Sequence, residues 1–194
     1  MAITTTYDGI EYRSRLEARW AAFMKNVGWD IVYEPFDGDG YIPDFLVQGP
    51  NPMLVEVKPA VTLTEYQAAV PKAEKGLAAH WSHDILIVGA SPIVASKFGS
   101  SWDQPAAGWL GEFSEWGMWN SPPDLSRGWD WEAAEWIRCT NCNSYSIYHT
   151  IQTFSGRPCG CYNGDHYLGT PNVSLLESFW ADACNDVKWR GRAA

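Results

Sequence analysis

Two short apolar runs carry the residues best suited to chemistry. One reads Tyr41-Ile42-Pro43-Asp44-Phe45-Leu46-Val47, the other Leu54-Val55-Glu56-Val57-Lys58-Pro59, and a Gly/Pro/Asn turn at 48–52 separates them. In an extended chain residues two apart share a face. Glu56 and Lys58 therefore project together, while Val55 and Val57 project the other way. The short turn makes the runs a hairpin, and pairing can bring Asp44 beside Glu56. Two carboxylates and one ammonium on a single patch suit hydrolysis of a phosphodiester. Hard oxygen ligands hold Mg²⁺ or Mn²⁺. Such an ion polarises a phosphoryl oxygen and acidifies a bound water, and a neighbouring lysine can orient that water or stabilise transition-state charge. Charges in otherwise apolar strands are costly without an ion or a partner. An E-x-K triplet by itself is also the ordinary face of an exposed strand. The Pro-Asp pair one strand upstream, and a glutamate in a helix before that, favour the chemical reading.

That glutamate is Glu17. Leu16, Trp20, Phe23 and Val27 recur at helical spacing, which predicts an amphipathic helix over 11–27 ended by Gly28. Glu17 lies beside the apolar stripe and can face the sheet edge; alternatively it closes a capping box with Ser14. Strand-like runs follow at Trp29–Phe36, Ile42–Val47 and Met53–Val57, with DGDG at 37–40 as a turn. A helix is expected over 64–79, kinked by Pro71, and a buried strand over His83–Gly89. The order helix, three strands, helix, strand is an α/β pattern. Beyond residue 91 the composition changes: seven tryptophans fall between Trp102 and Trp136. They suit the core of a small module better than base stacking. The expected organisation is a core at 1–90, a Trp-rich extension at 91–136, a cysteine module at 137–168, and a C-terminal segment at 169–194. Leu175, Leu176, Phe179, Trp180, Cys184 and Val187 predict a helix in the last.

The order of helix glutamate, Pro-Asp at a strand start and E-x-K in the next strand resembles the PD-(D/E)XK nuclease superfamily. YRSRLEARWA, YEPF, IPDF and LVEVKPA look especially like the endonuclease subunit of heteromeric transposases and like small nuclease-like proteins of phages and actinobacteria. The resemblance covers about residues 7–90. It implies a restriction-endonuclease-like core and a Mg²⁺- or Mn²⁺-dependent DNA endonuclease, at work in phage or mobile-element DNA processing. By the same resemblance Asp44 and Glu56 are metal ligands, Lys58 is the catalytic lysine, and Glu17 is a further ligand or positioning group. The RecB-like branch adds Q-x-x-x-Y. Gln67 is present but no tyrosine follows four residues later, so that branch is not assigned. The rival expectation is an inactive nuclease-like module that binds DNA or a protein within a larger complex.

Four of the five cysteines cluster: Cys139-x₂-Cys142 and Cys159-x-Cys161. Two short pairs at this distance resemble a zinc ribbon, with zinc replacing a core the module is too small to build. The single-residue spacing of the second pair departs from that pattern, and His149 or His166 could replace one thiolate. Cys184 sits on an apolar stripe and reads as core. The net charge of −9 disfavours a broad non-specific DNA footprint, although Arg13, Arg15, Arg19 and Lys25 could form a local basic patch. The N-terminus has no signal-peptide pattern and no apolar run is long enough to cross a bilayer. The expected setting is the cytoplasm, with DNA as partner, a protein partner or second copy possible, and no membrane.

Overall fold

The computed structural model describes residues 3–94, 105–114, 128–149, 161 and 168–188. The chain opens with a hairpin, β1 (Thr5–Tyr7) and β2 (Ile10–Tyr12), followed by α1 (Arg15–Asn26). Next come β3 (Ile31–Tyr33), β4 (Phe45–Val47), β5 (Met53–Val57), α2 (Leu63–Leu77) and β6 (Asp84–Val88). Then follow β7 (Ala106–Ser114), β8 (Gly128–Cys139), β9 (Tyr145–His149), β10 (Leu168–Gly169) and α3 (Val173–Asp186). The expected order of helix, three strands, helix, strand is the order seen from α1 to β6.

The first helix starts later than its apolar pattern suggests. Asp8 and Gly9 both have positive φ, +48° and +78°. They form the two-residue turn that pairs Tyr7 with Ile10, the geometry Asp-Gly favours. The segment from 10 to 12 is therefore strand. Ser14 caps α1, its side chain accepting the Glu17 N–H at 3.1 Å. Only that half of a capping box forms, because the Glu17 carboxylate turns elsewhere. The second helix carries a full capping box between Thr62 and Glu65 and runs on through Pro71. Pro71 and Gln67, whose carbonyl loses its partner, lie on the exposed side of α2, where water can satisfy it.

Strands β3 to β10 form one eight-stranded sheet, ordered β10-β8-β7-β6-β5-β4-β3 with β9 also paired to β8. Only β5 and β6 run parallel, joined through α2. One face of the sheet, including Phe45, Val55, Val57, Leu86 and Val88, packs against Trp20, Phe23 and Met24 of α1 and Leu176 and Ala183 of α3. The other face meets α2 through Tyr66 with Ile87 and through Leu77 with Leu54 and Ile85. The change in composition near residue 91 is no break in the sheet: Ile85 to Val88 pair with Gly111 to Gly108, and β7 pairs with β8 along its length. Trp109, Trp129 and Trp136 are buried. The Trp136 indole donates to the Pro92 carbonyl at 2.6 Å and that of Trp129 to His83 at 2.8 Å, so these rings are core with their polar edges satisfied. Trp102, Trp116 and Trp119 lie outside the described residues. Cys184 is half-buried on α3. No helix among the described residues is long and apolar enough to cross a membrane.

Candidate functional site

Pairing of β3, β4 and β5 fixes the site. Phe45 stands opposite Val55 and Tyr33 opposite Phe45, so one step along the ladder sets Glu34, Asp44 and Glu56 in a row. The Glu34 N–H donates to the Asp44 carbonyl at 3.0 Å. On β5 the odd positions enter the α1-facing core, leaving Glu56 and Lys58 on the side of Leu54. Asp44 and Glu56 are almost wholly buried. The Lys58 ammonium reaches both, 2.6 Å from Glu56 Oε2 and 3.8 Å from Asp44 Oδ2. The hairpin expected from sequence thus brings Asp44, Glu56 and Lys58 together.

Glu17 arrives from α1. The Tyr33 hydroxyl donates to Glu17 Oε2 at 2.8 Å and accepts the Arg13 backbone N–H at 3.0 Å. Arg13 ties the acids together. Its Nη2 lies 2.6 Å from Asp44 Oδ1, and its Nε lies 2.8 Å from Glu34 Oε1 and 3.9 Å from Glu17 Oε2. The second Asp44 oxygen accepts the Val57 N–H at 2.7 Å. Burial, then the Glu56 charge, push the Asp44 carboxyl up to about 7, against the pull of Lys58 and the Val57 N–H. Burial and the adjacent Glu56 also push the Tyr41 phenol upward, so it stays protonated.

With every group ionised, the four acids Glu17, Glu34, Asp44 and Glu56 exceed the two cations Arg13 and Lys58 by two charges. Glu56 Oε1 is buried with no hydrogen-bond partner, an expensive state for a carboxylate oxygen. A divalent cation held by Asp44 and Glu56 would answer both deficits.

Sequence reasoning did not single out Tyr33, Glu34 or Tyr41 for the site. Alternation along β3 could have suggested Tyr33. Glu34 adopts a left-handed conformation, φ +47°, which a non-glycine residue rarely announces in its sequence. Two of the four basic residues expected to form an N-terminal patch are engaged within the chain. Arg13 faces acids, and Lys25 pairs with Asp8 beneath the Tyr7 ring.

A second cluster sits at the turn joining β8 to β9. The Asn143 N–H donates to the Cys139 carbonyl at 2.8 Å, and the Cys139 N–H to Ser144 at 2.9 Å. Asn143 takes positive φ, +63°, and Cys139-Thr-Asn-Cys142 folds into a tight loop. Cys161 joins it: the sulfurs of Cys139, Cys142 and Cys161 all lie within 4.8 Å of one another. Among the described residues this is the only trio of such ligand atoms gathered so closely. Its donor set could hold a metal such as zinc. The Ser144 hydroxyl, 3.1 Å from Cys142 Sγ, leads the effects that lower that thiol to about 6. Asn141 Nδ2 approaches Cys161 Sγ at 3.4 Å, a donor suited to a thiolate. Cys159 and His166 lie outside the described residues, as does the His149 side chain.

Comparison of the chain with family models, curated proteins and solved structures found no match.

Proposed function

We propose that this chain is a metal-dependent nuclease of the PD-(D/E)XK kind, hydrolysing DNA phosphodiesters in phage or mobile-element DNA processing. The observation that carries the reading is the convergence of Asp44 and Glu56 on Lys58, beside a buried Glu56 oxygen with no partner. The order of elements from α1 to β6 supports a restriction-endonuclease-like core. Asp44 and Glu56 would hold Mg²⁺ or Mn²⁺, which when bound supplies Lewis-acid polarisation of the phosphate and an acidified water. Lys58, fixed by Glu56, presents an ammonium to a water or a phosphoryl oxygen at the mouth of the site. Glu17 acts through Tyr33 and Arg13, holding the loop that carries Arg13 against the acids. Tyr41, kept neutral, stands beside Glu56. The cluster of Cys139, Cys142 and Cys161 would be a structural zinc site, its fourth ligand coming from Cys159, His149 or His166.

One observation favours a second reading. Arg13 and Lys58 already pair with Asp44 and Glu56, as they would in an inactive module that binds DNA or a protein within a larger complex. Incubation with duplex, single-stranded and branched DNA in Mg²⁺ or Mn²⁺, against chelator, separates the two. Cleavage that requires the ion and disappears in Lys58→Met supports the nuclease. Binding without cleavage on every substrate supports the module.

A further inference from the structure

Arg13 has a place in this site that no ligand or lysine role covers. We propose that it is a resident cation exchanged for the divalent ion: its guanidinium holds Asp44 until an ion takes that carboxylate, then rests on Glu34 and turns its Nη groups to the substrate phosphate. The proposal rests on the nuclease reading above.

The contacts argue for exchange. Asp44 Oδ2 is occupied by the Val57 N–H and faces Lys58, so Oδ1 is the oxygen open to an incoming cation. Arg13 Nη2 stands on it at 2.6 Å. A divalent ion bound there would sit close to a like charge in a poorly screened pocket, so one cation must yield. The arginine can move. Its side chain is 51% exposed where that of Asp44 is 6% exposed, and it precedes the capping residue Ser14 rather than lying within α1. Its retreat is already built. Nε, not Nη2, faces Glu34 at 2.8 Å, so the guanidinium can pivot on that contact while releasing Asp44. Glu34 holds its post through a left-handed backbone, φ +47°, a costly conformation of the sort found where geometry serves a site. Freed Nη groups at the solvent side of a metal-phosphate site present the planar fork suited to phosphate oxygens.

The test uses the full chain and two readouts that need no turnover. Mn²⁺ binding is measured calorimetrically without DNA for wild type, Arg13→Gln, Arg13→Lys and Asp44→Asn. Arg13→Gln should bind Mn²⁺ roughly fivefold or more tighter, the scale of coupling between two competing ligands. Arg13→Lys, which keeps the charge, should stay near wild type and guards against a folding artefact. DNA binding is then followed against salt with and without Ca²⁺ as a substitute ion. Arg13→Gln should flatten the salt slope by about one only when Ca²⁺ is present, because one phosphate contact is lost. Unchanged or weaker Mn²⁺ binding in Arg13→Gln, or an equal slope change with and without Ca²⁺, would overturn the exchange. If wild type and Asp44→Asn bind Mn²⁺ alike, the nuclease reading itself fails and takes the exchange with it.

Discussion

Asp44→Asn should stabilise the metal-free protein at alkaline pH, and the size of the gain follows from the site. The Asp44 carboxyl titrates near 3.8 in an unfolded chain and is pushed up to about 7 by burial and by Glu56. Between those values the folded protein holds a proton that the unfolded chain has released. Stability therefore falls as pH rises through this window, and the loss is complete above about 7. A displacement of roughly three pH units, at ~1.4 kcal/mol each, is a cost of about 4 kcal/mol. Asparagine removes the charge but has one acceptor oxygen for two donors, Val57 N–H and Arg13 Nη2. Losing one charge-assisted hydrogen bond gives back about 2 kcal/mol. The variant should thus be more stable than wild type by about 2 kcal/mol at pH 8 in chelator, and less stable at pH 4, where wild-type Asp44 is already largely protonated. For a chain of this length that is a rise in Tm of roughly 4–8 °C at pH 8. Urea unfolding of both proteins at pH 4, 6 and 8 measures it, and the difference cancels other titrating groups. Added Mn²⁺ should stabilise wild type but not the variant. A variant less stable than wild type at pH 8 in chelator, or a difference that does not change with pH, would refute the account of a strained, uncompensated acid cluster.

Lys58→Met should lower metal-dependent cleavage by roughly 10²–10⁴-fold, as loss of a positioned catalytic group does, with an unchanged far-ultraviolet spectrum. Cys142→Ser should reduce zinc from about one ion per chain to near none by elemental analysis, while calorimetric Mn²⁺ binding at Asp44 persists. Gly76→Ala should weaken the site without touching an acid. A Cβ there would lie 2.3 Å from the Tyr41 ring, so the ring beside Glu56 must shift; a fall in Tm of several degrees with weaker Mn²⁺ binding is expected.

The trio of Asp44, Glu56 and Lys58 was legible because its signal is local. A period of two on β5 and a short turn before it determine which side chains meet, and β5 runs from Met53 to Val57 as its pattern indicates. The helix start was misread because Tyr12 is buried and mimics an earlier turn of the apolar stripe, while Asp8-Gly9 carried the contrary signal. Glu34 and Arg13 were illegible as partners of Asp44, since their meeting depends on strand pairing and on one left-handed residue. The continuity of β6, β7 and β8 was hidden by composition. Tryptophan and glycine look like a separate module in sequence, yet Gly108 and Gly111 allow close approach to Ile87 and Trp131 where a Cβ would collide.

The contact between α1 and α3 has a consequence for how the protein can be made and divided. Trp20 and Phe23 meet Trp180 with ring centroids 5.2 and 5.8 Å apart, and the Asn26 amide donates to the Phe179 carbonyl at 3.1 Å. Every residue of the candidate active site is translated before residue 60, but Trp20 and Phe23 of α1, which pack on the sheet, are themselves met by a helix more than a hundred residues later. During synthesis the nascent chain therefore carries a complete set of acids on a core that cannot yet close. Contacts so distant in sequence form slowly, and a truncated 1–90 fragment would expose Trp20 and Phe23 and tend to aggregate. A fusion or split version of this protein should be cut within a surface loop that leaves α3 on the same folding unit as α1, because the packing of α3 on α1, more than the position of the acids, sets the smallest piece that can fold.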